Sequence, residues 1–179
     1  LGAHEFDLEN LEEFFLDDLF KANHRPSQNF SLIKYFFEKA IFSENIELNE
    51  KLKLIPFIYS EEDLLRTPQS ICFPTIKYEN EMGTGVTLIN NEVYGRIALN
   101  HQLKNWLENL GVKEPSDISY IENEIIGNID ECIDKDNYIE ITRFLFSKYK
   151  KGLLDEMHYI KLNQLKLFTT DEDFSPASS

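Results

Sequence analysis

The sequence predicts an α+β protein, with amphipathic helices packed with a small antiparallel meander or hairpin sheet, on three observations. Apolar residues recur at helical spacing toward both ends of the chain, and short β-prone runs broken by turn residues fill positions 54–97. A strand followed by an acidic turn also occurs twice. The 179 residues are 42% hydrophobic and 13% aromatic, with only 7 Gly and 6 Pro, which excludes collagen-like, linker-like and disordered chains. A folded chain of this length buries roughly 70% of its unfolded surface, so a true core is available.

Residues 1–6, Leu-Gly-Ala-His-Glu-Phe, differ in texture from the rest of the chain and read as an expression scar, Glu-Phe being what an EcoRI site encodes. Leu8, Leu11, Phe14, Phe15 and Leu19 then predict an amphipathic helix over 7–21 with acids opposite. Asn23 to Ser27 break it, and Ser27 or Asn29 is expected to cap a second helix reaching about Phe42. Leu54–Ser60 and Ser70–Tyr78 read as strands around the acidic turn Glu61-Glu62-Asp63, Pro74 marking an edge or bulge. Gly83-Thr84-Gly85 and Asn90-Asn91 punctuate two more runs, Val86–Ile89 and Val93–Ile97, giving a meander.

Helical spacing returns with Leu103, Trp106, Leu107 and Leu110, closed by Gly111 as a C-cap residue. Pro115-Ser116-Asp117 opens a helix bearing Ile118, Ile121, Ile125 and Ile129 on one face. Tyr138–Lys150 and Leu153–Leu162 form a helical pair, and Gln164–Thr169 a last strand. The organisation read from this is 1–6 scar, 7–99 a helical pair plus β-meander unit, and 100–179 a helical unit ending in a truncated hairpin, together one compact body.

Setting Ser60 on Thr170 aligns Ile55–Leu64 with Leu165–Phe174, an offset of 110, and after a two-residue gap Pro68-Gln69-Ser70 meets Pro176-Ala177-Ser178. A helical pair precedes each copy, so helices feeding a hairpin recur. The second hairpin is expected to lack its return strand, as in a fragment of a longer protein.

Charge and chemistry narrow the function. With 32 acidic against 18 basic residues the net charge is −14, which disfavours nucleic acid or anionic membrane as partner. Cys72 and Cys132 belong to no Cys-x-x-Cys or Cys/His cluster and read as free buried thiols of a cytoplasmic protein. No apolar run reaches the length of a membrane span, and no signal peptide is expected, since residues 1–6 are not a basic start followed by an apolar run. Gly83-Thr84-Gly85 lacks the spacing of a phosphate-binding loop, and Asp134-Lys135-Asp136-Asn137 lacks the Gly and Glu of a calcium loop, so it reads as a helix-capping linker. His4, His24, His101 and His158 have no metal-ligand spacing, and His158 reads as a partly buried structural histidine. The acidic turns at 61–63 and 171–173 splay their carboxylates and read as solvated hairpin tips. No serine or cysteine nucleophile motif occurs, and the Trp106 stripe reads as core.

Several phrases resemble segments of large sacsin-like proteins. They are Ile55-Pro56-Phe57-Ile58 with the acidic turn and Pro68-Gln69-Ser70-Ile71-Cys72-Phe73-Pro74, then Trp106 to Val112 with Pro115-Ser116-Asp117, then Gln164 to Thr170 with Pro176-Ala177-Ser178. The resemblance covers about 50 residues of the 179. It implies a bacterial chain with an ATPase of the gyrase, heat-shock-chaperone and histidine-kinase type elsewhere, this region lying downstream of it. It carries no catalytic, cofactor-binding or metal-ligating residue onto this sequence. The expected function is a non-catalytic interaction or scaffold module that binds neighbouring modules or a client protein. A small metal-dependent hydrolase or nuclease with converging carboxylates, and an acidic module binding a basic protein, are the alternatives.

Overall fold

In α1 (Pro26–Phe42), Pro26 takes the first helical position, where its missing N–H leaves nothing unsatisfied. The computed structural model describes residues 24–42, 46–129, 131–134, 136–168 and 174–176; the expected scar, the helix over 7–21 and the acidic turn at 171–173 lie outside them. Ile33, Phe36, Phe37 and Ala40 recur at helical spacing on α1 and are buried. α2 (Ile46–Leu54) buries Leu48 and Leu52 and pairs Glu47 with Lys51 and Glu50 with Lys53 outside. Leu48, Leu52 and Ile55 are spaced as a helical stripe, so helix runs to Leu54 and the strand expected over 54–60 shrinks to β1 (Ile58–Tyr59).

The chain's backbone contacts group it into two compact units, Leu1–Pro74 with Thr87–Lys113, and Thr75–Val86 with Glu114–Ser179. In the first, β1 pairs antiparallel with β2 (Leu65–Arg66), Ile58 facing Arg66 and Tyr59 facing Leu65. On the other side of β1, the Asn90 N–H donates to Tyr59 O and the Glu61 N–H to Leu88 O. Cys72 then bridges Leu88 and Lys113 in parallel. The strand expected over 70–78 is therefore only a bridge at Cys72 after a 3-10 turn at Pro68–Ser70, the phrase ending at Pro74 because proline cannot donate to a ladder.

The run Val93–Ile97, expected as a strand, is helical instead: it lies in α3 (Asn91–Ile97). Asn90 accepts from the Glu92 N–H and caps it, and Val93 and Ile97, four residues apart, are both buried. Asn-Asn there starts a helix rather than turning a hairpin. α4 (His101–Leu110), capped by Asn100, buries Leu103, Trp106, Leu107 and Leu110 as expected. The Trp106 ring packs edge-on against Phe37 at 5.7 Å, and its Nε1 donates to Asn49 Oδ1 at 2.9 Å. Gly111 ends the helix at φ 119°, a left-handed geometry open to glycine.

Asn29 does not cap α1. It is fully buried, its Nδ2 donating to Phe57 O at 2.7 Å and its Oδ1 accepting from the Tyr59 N–H at 3.0 Å, so one side chain satisfies a carbonyl just before β1 and an N–H within it. The second Nδ2 proton points at His24 Nε2, 3.0 Å away; burial lowers the His24 pKa, and the neutral ring accepts.

In the second unit, Ser116 and Ser119 form a capping box for α5 (Asp117–Tyr120), which runs into a π-helical segment, Ile121–Ile126. The Gly127 N–H reaches back to Glu122 O, and a Cβ at Gly127 would lie 2.3 Å from Asn123 O, so only glycine closes this wide turn. α6 (Tyr138–Lys150) and α7 (Glu156–Leu162) come next, α7 capped by Asp155. β3 (Lys166–Phe168) pairs antiparallel with β4 (Phe174–Pro176), so the hairpin expected to lack a return strand has one. Together these elements are α+β. No helix among the described residues is long and apolar enough to cross a membrane.

Asn29→Ala strands the buried N–H of Tyr59 and the buried C=O of Phe57. Urea unfolding is expected to show a loss of at least about 2 kcal/mol, and a change under about 0.5 kcal/mol would show that the clamp is dispensable.

Candidate functional site

Three features of the second unit present chemistry. The first is Lys148. On α6 the buried positions Ile141, Phe144 and Lys148 lie along one helical stripe, so a lysine occupies a core position and is 1% exposed. Its Nζ lies 2.8 Å from Glu81 Oε1, 2.8 Å from Asp117 Oδ2 and 4.6 Å from the centre of the Phe144 ring. Tyr78 Oη donates to the other Asp117 oxygen at 2.7 Å, and Lys151 stands 3.6 Å from Glu81.

Burial alone would lower the Lys148 pKa, but hydrogen bonds to Asp117 and Glu81 raise it above the ordinary lysine value. The Glu81 carboxyl is lowered by the hydrogen bond from Lys148. Partial burial opposes ionisation of Asp117, yet hydrogen bonds from Lys148 and Tyr78 hold its carboxyl below the ordinary range. Burial and the Asp117 bond push the Tyr78 phenol upward. The result is a charged, fully engaged ammonium, unsuited to nucleophilic work, that fastens the 75–86 segment to α5 and α6.

The second feature is a cavity of about 190 Å³ lined by apolar Tyr120, Ile125 and Ile141 and by Glu124, Glu140 and Cys132. The wide π turn carries Glu124 and Ile125 to it, and the Asn80–Thr84 turn carries Met82. The third is the outer face of α6 and α7, where Phe146 stacks on Tyr149 and Tyr149 meets Tyr159 edge-on at 5.8 Å.

The residues singled out by sequence take structural places. His158 is buried in the α7 capping box, Nδ1 2.6 Å from Asp155 Oδ1 and Nε2 3.6 Å from Glu122 Oε1. Hydrogen bonds to the His158 backbone and then its ring lower the Asp155 pKa. Asp134 Oδ1 accepts from the Asp136 and Asn137 N–H groups in the turn before α6, whose N-cap Asn137 makes no side-chain capping bond, so the expected capping role is not seen. Glu61, Glu62 and Asp63 are exposed, Glu62 pairing with Arg66. Gly83 lies in a turn closed by Asn80. Cys72 and Cys132 are not joined in a disulfide, Cys72 being buried and Cys132 only half-buried. Among the described residues no group of three His, Cys, Asp or Glu is placed to hold a metal ion.

Sequence reasoning missed Lys148 and the outer face of α6–α7. The signals were a lysine in the core phase of α6 and apolar residues in its solvent phase. Comparison with protein-family models, with curated proteins and with solved structures finds no match.

Lys148→Ala is expected to cost about 1–3 kcal/mol, because two carboxylates lose a charged donor. Lys148→Met should cost less, since its stem still covers Phe144 and Tyr78 still serves Asp117. Urea titration decides: the loss common to both variants measures the charge and the difference between them the packing of the stem, so no loss in Lys148→Met would show that packing, not charge, holds the segment.

The pH dependence is set by the directions of shift. The lowered carboxyls give stability that is present above their ordinary values, 3.8 for Asp117 and 4.5 for Glu81, and lost as pH falls through the depressed ones. The raised lysine gives stability that is complete below its ordinary 10.5 and lost as pH rises through the raised value. The stability advantage of the wild type over Lys148→Met is therefore expected to be level between about pH 5 and 10 and to narrow on both sides. An advantage independent of pH down to about 2 would contradict the ion-pair account.

Proposed function

We propose that this chain is a non-catalytic interaction and scaffold module, working by protein–protein or inter-module binding within a large, cytoplasmic, sacsin-like chaperone-type ATPase. The observation that carries the reading is the recurrence of one helix–helix–hairpin unit. α1, α2, β1 and β2 are succeeded in the same order by α6, α7, β3 and β4. Because the connection between the helices is two residues longer in the second copy, the offset of 110 becomes 108 in the first helix, and buried Ile33, Phe36 and Ala40 of α1 then find counterparts in buried Ile141, Phe144 and Lys148 of α6. Leu48 and Ile55 correspond likewise to His158 and Leu165.

Each helix pair leads into an antiparallel hairpin, whose innermost strand partners are Tyr59–Leu65 in one and Phe168–Phe174 in the other. Repeated units of this kind bury their faces against neighbours and present surfaces for binding. The net charge of −14 keeps such a modular surface soluble. Neighbouring modules or a client polypeptide are the partners this implies, and the ATPase activity belongs to the wider assembly.

Titration calorimetry with magnesium-ATP is expected to show no saturable heat, and thermal melts with magnesium, manganese or calcium no stabilisation. Saturable nucleotide binding would overturn the module reading. A metal-dependent rise in melting temperature would favour a carboxylate hydrolase.

A further inference from the structure

Of the twelve large hydrophobic residues exposed among the described residues, seven lie between Ile139 and Ile160: Ile139, Phe146, Tyr149, Leu153, Met157, Tyr159 and Ile160. They are not random in phase. Ile139, Phe146 and Tyr149 share the outer side of α6 with Arg143 and Lys150, and Lys150 Nζ lies 4.8 Å from the Phe146 ring centre. Met157 and Ile160 share the outer side of α7 with Lys161. Phe146 is 55% exposed, Met157 60% and Ile160 54%.

The first helix pair shows that the unit does not require such a face. At the positions corresponding to Phe146, Met157 and Ile160 it carries Glu38, Glu47 and Glu50, each paired with a lysine of its own helix. The second pair has exchanged a solvated ion-pair surface for aromatic and aliphatic side chains. Contiguous exposed apolar surface of this kind marks a binding surface rather than a folding need.

Charge identifies the occupant. The chain carries a net −14, yet of the five basic side chains in residues 138–162, with Lys148 buried against Glu81 and Asp117 and Lys151 facing Glu81, three lie on the outer surface, Arg143, Lys150 and Lys161. Arg143, Lys150 and Lys161 lie on the outer face, while Glu140 lies roughly 120° round α6 from Phe146. Of the acids opening α7, Asp155 is engaged by His158, and exposed Glu156, one turn before Ile160, is the acid that shares the outer side with the three bases. On a protein that is otherwise acidic, a cationic apolar strip is the face that repels an acidic partner least and attracts an apolar, acidic one most.

We propose that the outer face of α6–α7 docks an acidic amphipathic helix of a partner polypeptide, its apolar stripe on Phe146, Tyr149, Met157 and Ile160 and its carboxylates against Arg143, Lys150 and Lys161. The proposal rests on the interaction-module reading and names the partner chemistry. A helix with anchors at i, i+3, i+4 and i+7 presents a stripe of the kind such a face accepts.

The probe is a fluorescently labelled designed peptide of about 15 residues with this chemistry, Leu and Phe at i, i+3, i+4 and i+7 and Asp and Glu on the remaining faces. Anisotropy with the full chain is expected to saturate. Binding should weaken at least about tenfold in the triple variant Phe146→Glu, Met157→Glu, Ile160→Glu, which restores the first pair's surface residues and is expected to keep the fold. It should weaken about fivefold for a peptide with its acids changed to Asn and Gln, and further in high salt. No saturable binding, or equal binding by the triple variant or by the neutral peptide, would overturn the docking proposal and leave the module reading standing. Saturable ATP binding would instead overturn the module reading itself. Concentration-dependent self-association abolished by the triple variant would assign the face to a second copy, which also overturns the proposal.

Discussion

A lysine ammonium withdrawn from water must find anionic partners, and this requirement organises the second unit. Lys148 stands where α6 needs a buried residue, and the corresponding place in α1 is taken by Ala40. An alanine fills that place with a methyl group and asks nothing further of its surroundings. The lysine instead requires carboxylates within hydrogen-bonding distance. Asp117 supplies one from the first turn of α5, and Glu81 supplies the other from the 75–86 segment. That segment comes after the first hairpin in sequence but belongs to the second compact unit. With it come Met82 and Thr84, which help line the cavity beside the π-helical turn.

The first unit meets the same topological problem by neutral means. Asn29 ties α1 to β1 through one acceptor and one donor, and the Trp106 indole closes the other side by packing on Phe37 and bonding Asn49. The two helix–helix–hairpin units therefore share a burial pattern and an antiparallel hairpin while differing in what fastens them. They also differ outside, where Glu38, Glu47 and Glu50 of one take the places that Phe146, Met157 and Ile160 hold in the other. Internal similarity with external divergence is what a module adapted to a separate partner would show.

Much of the fold was legible because local periodicity and capping agreed with it. The α4 stripe with Gly111, the Ser116 start of α5 and the helix over 138–150 all come from spacing alone. The errors lie where two signals competed. Val93 and Ile97 satisfy both a short strand and a helix turn, and the Asn90 cap decided for helix. Leu48, Leu52 and Ile55 carried α2 past the point where β-prone residues begin. The Lys148 cluster was illegible because its partners are 31 and 67 residues away, and sequence spacing does not reveal such convergence. Nor could periodicity tell that the apolar residues of the outer α6 face remain exposed.

The central claim is that the buried ammonium of Lys148 holds the 75–86 segment in the second unit. Hydrogen exchange on the wild type and Lys148→Met tests it directly. In the wild type the amides of Asn80, Gly83 and Thr84 are bonded within this segment. The account predicts that the variant loses protection at those amides, while Tyr59, Cys72 and Ile89 of the first unit keep theirs. Unchanged protection over 75–86, or a loss spread evenly through both units, would contradict it.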